Sequence, residues 1–140
     1  MALGYRYALE PQEDGWWLAR FPGIPEALAE GETAEEARLN ALDCVIAALE
    51  GYMKAGRAIP REGAAQSGAD RIVLPSLVTA KLAVYETMRR GGWSKVSLAK
   101  ALDMPENSVR RLLDLSHRSQ MWVIDAALAK MNAELSIRLP

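Results

Sequence analysis

With 140 residues the chain has room for one ordinary domain or two small ones, and with half its residues hydrophobic and a quarter charged it is globular rather than disordered. The net charge of −1 hides an asymmetry: residues 1–66 hold eleven Asp/Glu against six Lys/Arg, a net of −5, while residues 67–140 hold seven against eleven, a net of +4. The sequence has no apolar run of about 18 residues and no basic region leading into an apolar stretch, which excludes a spanning helix and a secretory signal and makes the cytoplasm the expected compartment.

Leu3, Tyr5, Tyr7 and Leu9 alternate with Gly4, Arg6, Ala8 and Glu10, the period of a half-buried strand. Pro11-Gln12-Glu13-Asp14-Gly15 is a turn segment, and Trp16 to Phe21 reads as a second strand, so the pair is a hairpin. Pro22-Gly23-Ile24-Pro25 ends it, and Glu26 to Glu30 is a short third strand. Thr33 opens a helix as one half of a capping box with Glu36, and Leu42, Val45, Ile46, Leu49 and Met53 form its apolar stripe. It ends near Lys54 or Ala55, before Gly56. The single cysteine, Cys44, falls inside this helix and reads as a small core residue rather than a reactive thiol.

One helix covers only one face of a sheet. Tyr5, Tyr7, Leu9, Trp17, Ala19 and Phe21 are expected to face it, which turns Trp16, Leu18 and Arg20 to the open side. An uncovered face with a Trp, a Leu and an Arg has the makeup of a protein-binding surface. A negative net charge suits a basic partner.

Ile59 to Asp70 holds Pro60, Gly63, Gly68 and small polar residues and is the expected linker, centred on about 60–70. Arg71 to Leu74 can form a fourth strand. Ser76 to Arg90 is a helix with Leu77, Val78, Leu82, Tyr85 and Met88 apolar, stopped by Gly91-Gly92.

The next stretch carries the strongest motif. Ser94 to Leu102 and Pro105 to Leu115 read as two helices around a corner, with Leu98, Ala99, Leu102, Met104, Val109 and Leu112 turned inward. This is the pattern of a helix-turn-helix, whose second helix enters the major groove. Asp103 stands at the corner, where positive φ normally favours Gly. Glu106, Asn107, Arg110 and Arg111 face outward; Asn pairs with adenine and Arg with guanine through two hydrogen bonds each. Lys95 and Ser97 at the start of the first helix, and His117 and Arg118 after the second, complete the expected DNA-binding set. A last helix runs from about Ser119 to Asn132, with Val123, Ala126, Ala127 and Met131 inward. Leu135 to Leu139 is a final strand or a tail that orders against another copy.

The expected class is therefore α+β: a β-β-β-α-(β) domain over residues 1–75, then an all-α helix-turn-helix domain over 76–140 that binds DNA and dimerises.

Trp16 to Pro25, followed by Glu30-Gly31-Glu32-Thr33-Ala34-Glu35-Glu36-Ala37, resembles the N-terminal domain of HicB-type antitoxins, where an aromatic strand ends in Phe-Pro before a Gly-x-Thr-x-x-Glu-Ala helix start. Leu74-Pro75, Lys81 to Tyr85, Ser97-Leu98-Ala99, Val109 to Asp114 and His117-Arg118-Ser119 are similar to the helix-turn-helix branch of that family. The resemblance covers nearly the whole chain and implies a partial RNase H-like first domain that binds and blocks a small, basic, mRNA-cleaving HicA-type toxin. It also implies a second domain that represses its own operon by binding operator DNA, and a homodimer or tetramer. The same residues fit a free-standing repressor whose first domain oligomerises or senses another partner; a neighbouring gene for a small basic protein separates the two.

An RNase H-like fold raises the question of nuclease activity, which needs several carboxylates around two metal ions. Leu3 to Leu9 holds no acid, and Glu35 and Glu36 are explained by helix capping, so no catalytic residue is assigned. His117, the only histidine, has no cluster of ligands near it in sequence, so neither a metal nor a cofactor is expected.

Overall fold

The computed structural model describes residues 3–62 and 70–140. In chain order it contains β1 (Gly4–Pro11), β2 (Trp17–Arg20), β3 (Leu28–Gly31), α1 (Ala34–Lys54), β4 (Asp70–Val73), α2 (Ser76–Gly91), α3 (Lys95–Leu102), α4 (Glu106–Leu112) and α5 (Met121–Lys130). These elements form two compact units, one ending at Leu74 and the other starting at Pro75.

The first unit is a four-stranded antiparallel sheet in the order β3-β2-β1-β4, with α1 across one face. Leu9 pairs with Ala19 and Ala19 with Ala29, so one row of side chains runs across the sheet beneath the helix. Tyr5, Tyr7, Ala19, Phe21 and Ala29 are all buried there, while Leu9 and Trp17 are half-buried. The rings of Tyr7 and Phe21 meet at 5.3 Å.

Thr33 caps α1 by accepting a hydrogen bond from the Glu36 N–H at 3.1 Å. The reciprocal half of the capping box is displaced by one residue: the Glu36 carboxylate accepts from the N–H of Glu32, not of Thr33. The buried stripe of α1 is Ala37, Ala41, Val45, Leu49 and Tyr52, with Leu42, Ile46 and Met53 only half-buried. The reason lies at Gly31, where an added Cβ would stand 2.4 Å from the Ala37 nitrogen. The helix and β3 approach so closely that only small residues fit between them, and this contact fixes which face of α1 turns inward. Two side chains of α1 bond the backbone at the end of β3: Asn40 donates to the Glu30 carbonyl at 3.0 Å, and Glu36 accepts from the N–H of Glu32 just beyond the strand.

The stretch expected to join the domains instead joins α1 to β4, two elements of the same unit. Its first residues are fixed to that unit: Ile59 is buried, the Tyr5 hydroxyl donates to the Pro60 carbonyl at 2.6 Å, and Glu62 pairs with Arg71 at 2.8 Å. Gly63 and Gly68 lie outside the described residues. Cys44 is half-buried and burial pushes its thiol above the ordinary range, as a packing residue requires.

The second unit packs four helices around Ala80, Val84, Leu98, Val109, Leu112, Ile124, Ala127 and Leu128. Gly92 ends α2 in the left-handed conformation (φ 68°). The inner face of α5 is Ile124, Ala127, Leu128 and Met131, rather than Val123 and Ala126, which are half-buried. After Asn132, at φ 57°, the chain continues without forming a strand, and Ile137 and Leu139 are exposed.

Candidate functional site

The two helices of the motif are α3 and α4. Ser94 and Ser97 form a reciprocal cap at the start of α3: the Ser94 hydroxyl accepts from the Ser97 N–H at 3.0 Å, and the Ser97 hydroxyl accepts from the Ser94 N–H at 2.9 Å. Ser97 is therefore occupied in holding the helix start, while Lys95 beside it is exposed. Asp103 takes the left-handed corner at φ 53° and ψ 48°, and the Met104 N–H bonds back to Ala99. Pro105 then precedes α4 with φ −62°. This α4 is shorter than expected, starting at Glu106 and closing at Leu112, with Leu113 to Gln120 forming the turns before α5.

Val109 and Leu112 bury the inner face of α4. Asn107, Arg110 and Arg111 lie exposed on the other, as the spacing predicts. Arg110 is held by Glu106 one turn earlier at 3.0 Å, with both side chains largely exposed. This is an i,i+4 surface pair of the kind that contributes about 0.3–0.5 kcal/mol to a helix.

Beyond α4 the chain is shaped by Asp114, whose carboxylate accepts from the Ser116 hydroxyl at 2.7 Å and the Ser116 N–H at 3.0 Å. These bonds hold its pKa below the ordinary aspartate value. His117 and Arg118 follow, both exposed; His117 Nδ1 lies 3.2 Å from the Ser119 hydroxyl.

Sequence reasoning passed over Lys81 as a functional residue. It is fully buried on α2, and its ammonium donates to the Arg111 carbonyl, the Asp114 carbonyl and the Ser119 hydroxyl at 2.7, 2.9 and 2.8 Å. Burial pushes its pKa down, with Asp114 opposing. A signal was present: Lys81 stands three residues after Val78 and directly before Leu82, on the apolar face of a helix.

In the first unit the three expected partner-binding residues have different settings. Trp16 sits in the β1–β2 hairpin loop rather than in β2, with its carbonyl bonded to the Gln12 N–H and its N–H to the Asp14 carboxylate, and its side chain is 41% exposed. Arg20 is exposed but neutralised by Glu10 at 3.0 Å. Leu18, expected on an uncovered surface, is only 8% exposed. Its register neighbours on the two adjacent strands are Glu10 and Glu30. The exposed group is thus the hairpin tip, with Trp16 beside Glu13 and Asp14.

Among the described residues no group of three His, Cys, Asp or Glu side chains could hold a metal ion, and no helix is long and apolar enough to cross a membrane.

A family described as the HicB-like antitoxin of bacterial toxin–antitoxin systems matches residues 4–83. The chain is 34% identical to Antitoxin HicB of Pseudomonas fluorescens over 134 residues, covering 94% of this chain and 91% of that protein. It is 30% identical to Antitoxin HicB 1 of Photorhabdus laumondii over 137 residues, 98% of this chain and 87% of that protein. Antitoxin HicB of Escherichia coli is 28% identical over 135 residues, 96% and 98% of the two chains.

Proposed function

The chain belongs to the HicB-like antitoxin family, and from that premise we propose that it neutralises a HicA-type mRNA-cleaving toxin with its first unit and represses its own operon with its second. The outward face of α4 is the observation that carries the second half of this reading. Asn107, Arg110 and Arg111 project from a short helix seated on α3 by a left-handed corner, and base-reading groups belong on such a helix. Arg110 reads a guanine, with Glu106 holding its guanidinium in place. Lys95, His117 and Arg118 contact phosphates. These contacts fix register and orientation but carry little sequence information.

For the first unit, Trp16 at the hairpin tip supplies the apolar anchor of the toxin contact. The acidic half of the chain draws in a partner that is basic because it must hold an RNA backbone. Arg20, paired to Glu10, presents little free positive charge to that partner, and Leu18 contributes to the contact by supporting the strand behind the loop.

Two measurements test the proposal. Arg110→Ala is expected to weaken operator binding by about 1–3 kcal/mol and to relax preference at one base pair, whereas Arg118→Ala weakens specific and scrambled duplexes alike. Fluorescence anisotropy on both duplexes separates them, and unchanged affinity in Arg110→Ala removes α4 from the groove. Trp16→Ala is expected to weaken toxin binding in calorimetry, and inhibition in an RNA cleavage assay, while leaving operator affinity as it was. If Trp16→Ala inhibits the toxin as well as the native chain does, the hairpin tip is not the contact.

A further inference from the structure

Lys81 is, among the described residues, the charged side chain with no solvent exposure. An ammonium has three hydrogens, and the carbonyls of Arg111 and Asp114 and the hydroxyl of Ser119 take all three. The Arg111 carbonyl belongs to the last turn of α4, where it also accepts from the Asp114 N–H at 3.3 Å and where the helix dipole favours a cation. The Asp114 carbonyl belongs to the turn that follows. Ser119 follows directly on His117 and Arg118, and its hydroxyl reaches both His117 Nδ1 and, at 3.4 Å, the Arg111 carbonyl. One buried group thus gathers three separated points of the chain that carries the exposed basic residues.

A hydrocarbon side chain would fill this place without the cost of burying a charge. What a hydrocarbon lacks is direction, because it cannot dictate where three acceptors stand. We propose that Lys81 is a positioning residue for nucleic-acid recognition: it fixes the end of α4 and the segment 113–119 as one rigid surface, so that Arg110, Arg111 and Arg118 meet a duplex in a single register. This inference rests on the DNA-binding reading of the second unit. A base contact tolerates little displacement, so a loosened helix end loses discrimination between sequences before it loses general attraction to phosphate.

The full-length chain is compared with its Lys81→Met, Lys81→Arg and Ser119→Ala variants. Amide hydrogen exchange reports local freedom, and anisotropy reports affinity for the upstream operator duplex and a scrambled one. Lys81→Met is expected to speed exchange across 113–119 while α3 keeps its protection. Its operator affinity falls about tenfold or more with scrambled-duplex affinity nearly unchanged. Lys81→Arg, whose planar fork cannot match three converging acceptors, does not restore the ratio. Ser119→Ala shifts both readouts in the same direction by less. Unchanged exchange at 113–119 in Lys81→Met overturns the proposal, as does an equal loss on both duplexes with faster exchange throughout the unit, which is the mark of stability alone. If Lys81→Met fails to fold, Ser119→Ala decides: unchanged exchange and an unchanged duplex ratio sink the idea. A native chain that binds neither duplex refutes the DNA-binding reading and with it the role in recognition, while the exchange arm still decides whether Lys81 holds the segment.

Discussion

Asp103 and Gly31 are two positions where backbone geometry constrains the residue, one by its φ and one by a close approach. Asp103 carries φ 53° at the corner between α3 and α4, a conformation that costs most side chains about 1–2 kcal/mol and Gly almost nothing. Asp103→Gly is therefore expected to be neutral or to stabilise the chain by up to about 1 kcal/mol, and Asp103→Ala to cost about 1 kcal/mol, read as shifts in thermal unfolding midpoint. A loss of stability in Asp103→Gly would show that the aspartate side chain contributes more than its backbone strain removes. Gly31→Ala is expected to destabilise by about 1–3 kcal/mol, because the new methyl meets the Ala37 nitrogen and the helix must move away from β3. Equilibrium urea unfolding checks it; an unchanged midpoint means the contact relaxes freely. The special corner was legible in the sequence, since Asp103 stood between two helical periods and before a proline. The demand at Gly31 was not, because it arises where two elements distant in pattern come together.

At the scale of elements, the turn after α4 links acid–base chemistry to the shape of the proposed DNA-binding surface. The two Ser116 bonds hold the Asp114 pKa below its ordinary value. A carboxylate with a lowered folded-state pKa lends stability that is fully present above the unfolded value, about 3.9, and is lost as pH falls through the folded value. Asp114→Asn is thus expected to flatten the fall in stability between pH 5 and the acid limit, measured by urea unfolding at about pH 5 and about pH 3. Equal slopes for the two chains would exclude the turn as a source. Element identity and order were readable from period, caps and stops: the four strands and five helices of the described residues follow the expected order, with the ends of β2, β3, α4 and α5 displaced, and the strand allowed at Leu135 to Leu139 does not form. The faces of α1 and α5 were not, because a large residue such as Leu42 or Ile46 outweighs Ala37 and Ala41 in a hydrophobic pattern. In the folded unit the small residues win the interface, since they let backbones approach. The buried Lys81 escaped notice for the converse reason. Its type signals surface, and only the three acceptors brought from 30 or more residues away make it an interior group.

For the molecule as a whole, the second unit carries apolar surface on or after α5: Met121 at 37% exposed, Trp122 at 60%, Ile137 at 75% and Leu139 at 86%. A helix-turn-helix this small gains affinity by reading two half-sites as a dimer. The full chain is expected to sediment as a dimer or tetramer at micromolar concentration, and Trp122→Asp to shift it toward monomer with little change in secondary structure. A native chain that sediments as a monomer, or a Trp122→Asp chain that keeps its size, moves the contact elsewhere. The family was legible over most of the chain because two moderately specific motifs stand in a fixed order. The exposure of the proposed partner-binding residues was legible only in part. Trp16 is exposed, but strand alternation placed Leu18 on an open face where it is in fact buried, because alternation counts neighbours along one strand only.

The side-chain plugs on the edge of β3 bear on how the protein behaves in a crowded solution. An open strand edge is a template on which further strands stack, in the manner of amyloid. β3 is an edge strand, and at its end Asn40 occupies the Glu30 carbonyl and Glu36 the Glu32 N–H, which leaves fewer vacant hydrogen-bonding groups for a passing chain. A double Asn40→Val, Glu36→Ala chain is expected to form thioflavin-positive fibrils after a shorter lag than the native protein, at a protein concentration where the native protein stays clear.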